Sequence, residues 1–398
     1  SQIYEISNFF FIIRYYMYID GIPCNLNITR IPSYHSTRNQ RQKMYKRKIE
    51  KMPDSFVVNG KPVFGTFEGN LKRLDIRGVS RPYGNFPLPK FFTNLRIKSE
   101  LTFTFNIGDF IGFFSFFDAK IFGFSEVVFW NKKTNLKWTY HCVMAPRKRV
   151  VPHDMNHATT STYSKRRHVK ISWNRERDAL TVAFSLKGDS VRPTASGNLV
   201  AIFSNDQFKD LTCVKPAPTM SKCSASYNAA LSLTGYVTLT SRDGTKHEMP
   251  VTDGFSFLDV TRIYMKFKSS GQFVLGLGEY KGKLLAFRIS TESQDAVNPD
   301  KYNRNVLFYD GKVTPLPSVV VTHPNGIENN WIIQDYENMV DLCFSPVSRS
   351  TNRISILILR SSRDRLYGTF EGTLMTDSEE KISFKSFPGI AERFQIRL

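Results

Sequence analysis

Helical patterning is almost absent from this sequence of 398 residues. Apolar residues rarely recur at intervals of three and four, so helical bundles and alternating α/β folds are disfavoured. No stretch approaches the roughly 20 apolar residues that a membrane-spanning helix needs. The short run "FFFII" near the start follows Glu5 and ends at Arg14, which argues against a signal peptide and favours an intracellular protein.

Cysteines and familiar catalytic motifs are also scarce. The five cysteines form no C-x-x-C pair and are odd in number, which predicts reduced thiols rather than a disulfide framework. His153 and His157 in "HDMNH" have helical metal-ligand spacing, but the stretch reads as a loop without a third ligand. The chain has no G-x-S-x-G, H-E-x-x-H or Walker motif. We therefore expect neither a metal nor a cofactor, and a non-catalytic role is favoured over an enzyme.

Acidic residues are outnumbered by basic ones, 35 to 55, which gives a formal charge of +20. Two segments carry much of it: residues 1–51 hold nine Lys/Arg against three Asp/Glu, and residues 147–177 hold nine against two. Clustering of this kind indicates an acidic partner such as nucleic acid, an anionic membrane or an acidic protein surface. The residues proposed for that contact are Arg38, Arg41, Lys43, Lys46, Arg47, Lys48, Lys51, Arg147, Lys148, Arg149, Lys165, Arg166 and Arg167.

What the chain has in abundance is strand patterning. In "LTFTFNIG", Leu101, Phe103 and Phe105 alternate with polar residues, and "ALTVAFSLKG" repeats the pattern. Hairpin signals such as Asp243-Gly244 and Asp310-Gly311 recur. The sequence thus predicts an all-β protein. The proline-containing stretch "CVKPAPTMSKCS" predicts a boundary, which gives a basic arm (1–55) and two β-barrels (56–215 and 225–398).

One short sequence occurs twice. "FGTFEGNL" (Phe64–Leu71) and "YGTFEGTL" (Tyr367–Leu374) share GTFEG. The glutamate would repel a phosphate, and both copies stand among strand residues. We predict two structural strands, with Phe67 and Phe370 in a core and the glycines permitting a bend or bulge.

Several short sequence motifs in the second half occur in a characteristic order: "SLTGYVTL", "FLDVTR", "NVLFYDGKV", "NNWII", "VDLCFSPVSR", "RLYGTFEGTL" and "FPGIAE". With "GVSRPYGNFPLP" in the first half, this order resembles a family described as a domain of unknown function. That family occurs in bacteria and unicellular eukaryotes and is distantly similar to carotenoid-hydratase-like double-lipocalin proteins. The resemblance covers roughly residues 60–398. It implies two lipocalin-like antiparallel β-barrels packed together, with no established activity.

The chain also departs from that family's pattern. After "FLDVTR" the family tends to continue with glycine and several tryptophans, whereas "IYMKFKSSGQF" stands here. Any ligand site of the family is therefore expected to have a different lining in this chain.

The most distinctive polar pair is Asp259 with Arg262. Residues three apart on a strand face opposite sides, so a direct contact requires a bulge or turn. The pair is either a charged ligand site inside a barrel or a structural ion pair at a barrel end, and the structural interpretation is favoured.

Three functions follow from these observations. The first is a structural protein that docks its basic arm and loop onto an acidic assembly, with tubulin in a ciliary or cytoskeletal microtubule as the favoured partner. The second is a protein that binds a small apolar ligand, or a hydratase-like enzyme, with its site inside a barrel. It predicts a cavity of several hundred Å³ with few polar groups. The third is an RNA-binding or ribosome-associated protein.

Overall fold

Most of the described chain lies in antiparallel β-sheet. The computed structural model describes residues 45–84, 88–146, 150–203, 210–291, 297–356 and 359–397. The first sheet contains β1 (Ile49–Glu50), β4 (Gly65–Glu68), β5 (Ile97–Ile107), β6 (Phe110–Asp118), β7 (Gly123–Asn131), β8 (Lys137–Met144), β9 (His157–Ser161), β10 (Arg167–Asn174), β11 (Ala179–Leu186), β12 (Thr194–Ile202), β13 (Asp210–Pro216), β14 (Cys223–Thr240) and β15 (Lys246–Tyr264).

The second sheet follows in sequence and contains β16 (Lys268–Tyr280), β17 (Lys283–Ser290), β18 (Val306–Tyr309), β19 (Lys312–Pro315), β20 (Val320–Thr322), β21 (Trp331–Gln334), β22 (Val340–Ile356), β23 (Leu359–Met375) and β24 (Lys381–Arg397). A small hairpin joins β2 (Val57–Val58) to β3 (Lys61–Pro62). Helix is limited, in the described residues, to α1 (Lys90–Leu95) and a 3-10 turn at Arg175–Arg177. No helix in this part of the chain is long and apolar enough to cross a membrane.

Neighbouring strands mostly follow one another in sequence. The first sheet has the order β8-β7-β6-β5-β15-β14-β12-β11-β10-β9, with β13 joining β14 to β4. The second has the order β19-β18-β17-β16-β24-β23-β22-β21-β20. Both sheets are curled, and the pairs are antiparallel except for β1 with β4. The prediction of an all-β chain built from two antiparallel, lipocalin-like sheets is confirmed.

The chain passes from one sheet to the other between Tyr264 and Lys268. The stretch expected to separate two domains, Cys213 to Ser224, instead contains the end of β13 and the start of β14, and both strands belong to the first sheet. The division into an arm (1–55) and two barrels (56–215 and 225–398) stays a prediction, although the change of sheet comes later in the chain than its boundary.

Each sheet curls around a core of aromatic side chains. In the first, the ring of Phe105 lies 5.3 Å from Phe114 and 5.2 Å from Phe129, between ring centroids. In the second, Phe370 lies 4.7 Å from Phe344 and 5.0 Å from Phe287. Such offset and tilted contacts fill space efficiently. Within the described residues, aromatic side chains therefore occupy the interior of each curled sheet, which disfavours these interiors as the site of an apolar ligand.

Both GTFEG copies are strands, as predicted. The first is β4, and the second lies within β23. Phe67 and Phe370 are buried in the two cores, while Glu68 and Glu371 are exposed. The register of β23 against β24 shifts between Phe370 and Gly372, which is the expected bulge.

The backbone at Gly372 has a counterpart in the other sheet, although not in the other GTFEG copy. Gly372 has φ +131°, and a Cβ there would lie 2.1 Å from the carbonyl oxygen of Asp341. Gly235 has φ +129°, and a Cβ there would lie 2.1 Å from the carbonyl oxygen of Asn198. Both glycines stand at register shifts of long strands. The structural equivalent of Gly372 is thus the glycine of "SLTGYVTL".

Candidate functional site

A cavity of about 140 Å³ lies between the two sheets. The first sheet lines it with residues that face away from its aromatic core: Glu100, Thr102 and Thr104 of β5, and Phe257, Asp259, Thr261 and Ile263 of β15. The polar positions of "LTFTF" therefore face a cavity rather than open solvent. Alternation in the sequence predicted which residues enter the core. It did not show whether the polar face of the strand meets a cavity or open solvent.

The second sheet supplies both apolar side chains and charged ones, the latter being Arg288, Arg363, Arg365 and Glu392. Phe273 and Leu275 come from β16, and Ile390 and Phe394 come from β24. Glu392 stands directly opposite Phe273 in the pairing of the two strands. The result is an apolar space with charged groups set into it at fixed places.

Asp259 is one of the charged residues that line this cavity. Its Oδ2 accepts a hydrogen bond from Nε of Arg288 at 2.6 Å, and its Oδ1 accepts the hydroxyl of Thr261 at 2.9 Å. Arg304 lies 3.9 Å from Oδ1 and donates to the Thr261 hydroxyl at 2.8 Å. Burial alone would raise the pKa of Asp259, but Arg288 and Arg304 outweigh it and hold the pKa below its usual value. The carboxylate is therefore ionised at neutral pH.

Arg262 does not join Asp259. It points to the opposite face of β15, into the interior of the first sheet, where it is fully buried. It donates to the hydroxyl of Ser99 at 2.6 Å and to the carbonyl of Val151 at 3.1 Å. The two sequence candidates are thus separated: Asp259 lines the cavity with arginines of the second sheet, and Arg262 has a structural environment. Their role in ligand binding stays a prediction.

A second cluster of charges also joins the two sheets. Glu100 and Glu126 belong to the first sheet, and Arg363, Arg365 and Glu392 belong to the second. Arg363 contacts both oxygens of Glu100, with Nη2 to Oε2 at 2.8 Å, and lies 3.2 Å from Glu392. Arg365 donates to Glu126 and to Glu392. Two guanidinium groups therefore hold three carboxylates across the interface.

Glu126 is the most buried member of this cluster from the first sheet. His141 on β8 contacts its Oε1 at 2.9 Å, and Asn352 on β22 donates to the same oxygen at 3.1 Å. Burial opposes its ionisation, but Arg365 and then His141 outweigh the burial, so the pKa of Glu126 is lowered. An ionised, fully partnered carboxylate thus sits where a lone charge would be costly.

Sequence analysis missed this cluster because its members lie far apart in the chain. One signal was available: Glu126 is the single charge in "GFSEVVFW", an otherwise apolar strand. A charge at such a position needs a buried partner. The sequence does not show which of 55 basic residues provides it.

Acid should weaken the folded state through these carboxylates. In the unfolded chain the pKa values of Asp and Glu are about 3.9 and 4.3. Because Asp259 and Glu126 have lower values when folded, their stabilisation is fully present above about pH 4.3 and is lost as the pH falls through the folded values. We expect the urea concentration at the midpoint of unfolding to decrease as the pH is lowered below 4.3. In Glu126→Gln this decrease should be less steep. Parallel profiles for the two proteins would contradict this assignment.

The basic residues proposed for an acidic partner are only partly described. Arg38, Arg41, Lys43, Arg147, Lys148 and Arg149 lie outside the described residues. Two of the others have partners within the fold. Arg47 donates to the Asn303 side chain and to the carbonyl of Asn305 at 2.8 Å, and Arg167 donates to the carbonyl of Lys187. The rest are exposed: Lys46, Lys48, Lys51, Lys165 and Arg166. Their role stays a prediction.

The comparison with protein families establishes the family membership that the order of the sequence motifs indicated. The model of the domain of unknown function DUF2804 matches residues 46–398. The chain belongs to this family. The match covers both sheets and the loops between them, so this DUF2804 chain carries its family domain across the whole described region.

Solved structures give a more distant comparison for this DUF2804 chain. The structure of CghA is 15% identical, covers 87% of this chain and 97% of its own, and has a TM-score of 0.45. Kievitone hydratase from Nectria haematococca is 9% identical, covers 75% of this chain and 88% of its own, and has a TM-score of 0.43. No curated protein matches the chain.

The prediction of a microtubule-associated structural protein is wrong. The solved structures to which the chain is similar, CghA and a kievitone hydratase, agree with the hydratase-like alternative instead. Nucleic acid or an acidic protein as partner stays a prediction of the sequence, as does an intracellular location.

Proposed function

We propose that this DUF2804 chain is a hydratase-like enzyme that adds water to, or removes it from, a small and mostly apolar molecule held between its two sheets. The observation that carries the proposal is Asp259, an ionised carboxylate fixed at the wall of an apolar cavity. Ligand sites typically combine apolar walls with a few precisely placed polar groups. The proposed site differs from the one expected from sequence, since it lies between the two sheets rather than inside a barrel.

The size of the cavity limits the ligand. About 140 Å³ is close to the 150 Å³ of an engineered apolar cavity that takes benzene. It is smaller than the several hundred Å³ that the sequence suggested. A single ring with a short unsaturated substituent fits this volume, with its apolar part against Phe273 and Leu275.

Asp259 has hydrogen-bonding capacity left for the reaction. A carboxylate offers about four lone-pair sites, and the hydrogen bonds from Arg288 and Thr261 use two. A water molecule, or the hydroxyl group of a ligand, can donate to the remaining sites. Hydration of a carbon–carbon double bond breaks the π bond and one O–H bond of water, forms one C–O and one C–H bond, and needs no oxidant. The proton that water loses balances the proton that the second carbon gains. In that reaction Asp259 orients the attacking water and accepts a hydrogen bond that strengthens as the water loses its proton.

The test uses isotope-labelled water. Wild-type protein is incubated in H₂¹⁸O with ring-sized alkenes such as 4-vinylphenol, and the alcohol products are measured by mass spectrometry. We expect ¹⁸O incorporation to fall by about 100-fold or more in Asp259→Asn, because a positioned acid–base group contributes about 10²–10⁴-fold. Asp253→Asn is the matched control, since Asp253 is an exposed carboxylate on the same strand.

Thermal unfolding curves show whether Asp259→Asn is folded. Full activity in folded Asp259→Asn would overturn the role of this carboxylate. If ring-sized ligands bind but no alkene in the panel takes up the label, the cavity belongs to a binding protein and the hydratase proposal fails.

A further inference from the structure

The short helix α1 exposes its aromatic residues. Phe91 is 67% exposed and Phe92 is 55% exposed, and Leu88 just before the helix is also exposed. The two rings pack edge to face with centroids 5.5 Å apart. A surface helix normally turns such residues toward the core. Within the described residues, this helix instead presents them outward.

Two further apolar side chains extend this surface. Phe267 is 70% exposed, and Met220 is exposed as well. Arg96, which follows α1, lies over the Phe267 ring at 4.1 Å and over the Tyr83 ring at 5.1 Å. These contacts connect α1 to the segment between the two sheets. The exposed apolar residues of this aromatic–lysine patch are Leu88, Phe91, Phe92, Met220 and Phe267.

Lysines surround these apolar side chains. Lys222 lies 4.8 Å from the Tyr83 ring and interacts electrostatically with Lys266 and Arg96. The described segments 88–98, 118–122, 217–222 and 264–270 contain seven Lys or Arg and one acidic residue, Asp118, which pairs with Lys120 at 2.6 Å. Lys98 ties two of these segments together, because its Nζ donates to the carbonyls of Leu95 at 2.9 Å and Ala119 at 2.6 Å. The patch therefore carries an excess of positive charge beside its apolar side chains.

The patch adjoins the cavity. Pro218 and Lys266 line the cavity and are partly exposed. Met220 is two residues beyond Pro218, and Phe267 directly follows Lys266. The residues at this end of the cavity thus continue into the aromatic–lysine patch.

We propose that the aromatic–lysine patch docks on the surface of a bilayer that contains anionic lipid. Exposed aromatic side chains enter the boundary between headgroups and acyl chains, while lysines contact anionic headgroups. A protein partner fits the composition less well, because lysine is depleted at protein interfaces and here it accompanies every apolar segment. Docking would bring the cavity residues Pro218 and Lys266 close to the membrane, but the inference rests on the patch alone and not on the proposed reaction.

Vesicle flotation tests this proposal with the full chain. Vesicles of phosphatidylcholine with 30% phosphatidylserine are compared with vesicles of phosphatidylcholine alone. We expect binding to the anionic vesicles to be at least about tenfold stronger, since each basic residue near the surface contributes roughly fivefold. We expect it to weaken at 0.5 M salt.

Two variants separate the apolar and charged parts. Phe91→Ser with Phe267→Ser, and Lys90→Gln with Lys222→Gln, are each expected to weaken binding about tenfold. Matched controls are Tyr336→Ser, an aromatic side chain 68% exposed elsewhere, and Lys312→Gln with Lys385→Gln on the second sheet. The controls should bind like the wild type.

Three results would overturn the proposal. These are equal binding to neutral and anionic vesicles, equal losses in the patch and control variants, and no vesicle binding at all. If the wild type self-associates in light scattering and the Phe91/Phe267 variant does not, without vesicle binding by either, the patch is an interface between copies of this chain.

Discussion

Replacing Arg365 by methionine is expected to lower the free energy of unfolding by about 3–5 kcal/mol. Arg365 is buried and donates to Glu126 on the first sheet and to Glu392 on the second. Without it, two buried carboxylates lose their main counter-charge, although methionine fills much of the same space. Removal of one partner from a buried ion cluster costs far more than removal of a surface charge.

Chemical unfolding measures this loss directly. Arg360→Met is the control, because Arg360 lies exposed on the same strand, and it should change the unfolding free energy by less than about 1 kcal/mol. Adding Glu126→Gln and Glu392→Gln to Arg365→Met should recover part of the loss, because the carboxylates no longer need a partner. A cost below about 1 kcal/mol for Arg365→Met would show that the cluster does not stabilise the interface.

Gly372→Ala is expected to lower the free energy of unfolding by about 3 kcal/mol. The new Cβ would lie 2.1 Å from the carbonyl oxygen of Asp341 and 3.0 Å from the Cα of Leu342, so backbone on two strands has to move. The φ of +131° adds strain for any residue with a side chain, of the order of 1–3 kcal/mol. The same substitution at Gly235 should cost about as much, since its surroundings match.

Gly244→Ala provides the control for this pair. Gly244 also has a positive φ, +86°, but a Cβ there meets nothing within 4 Å. It therefore reports the backbone strain without the close approach, and we expect a loss of about 1 kcal/mol in thermal or urea unfolding. Equal losses at Gly244 and Gly372 would mean that the tight strand contact relaxes at little cost.

The fold class could be predicted from the sequence because period-two alternation is a local property. Leu101, Phe103 and Phe105 stand where the pattern places them, and the two GTFEG phenylalanines are in the cores. The limits of such reasoning are visible at the same strands. Alternation defines a core face, but the second face of β5 meets another sheet instead of water.

The candidate site could not be predicted because its contacts are not local. The sequence pairs Asp259 with Arg262, but the Arg262 side chain points to the opposite face of the strand. The residue that donates a hydrogen bond to Asp259 is Arg288, which lies on the other sheet. Arg365 and Glu126 are 239 residues apart in the chain. Nothing in one sequence shows which buried charges meet.

The repeated GTFEG sequence shows the same limit of sequence comparison. GTFEG drew attention to two strands that occupy different places in their sheets, since β4 is short and β23 is long. The real correspondence joins Gly372 to Gly235, and it depends on backbone geometry rather than on shared letters. A search for identical short sequences therefore pairs the two GTFEG strands and misses the match between Gly372 and Gly235.

The two charge clusters also bear on how freely this chain can be rearranged. Asp259 and Glu126 stand on the first sheet, while Arg288 and Arg365 stand on the second. A protein cut between Tyr264 and Lys268 would leave acids uncovered on one fragment and guanidinium groups on the other. Neither half could be exchanged for the half of another protein unless its charges matched position by position. The two sheets therefore have to be engineered as one unit.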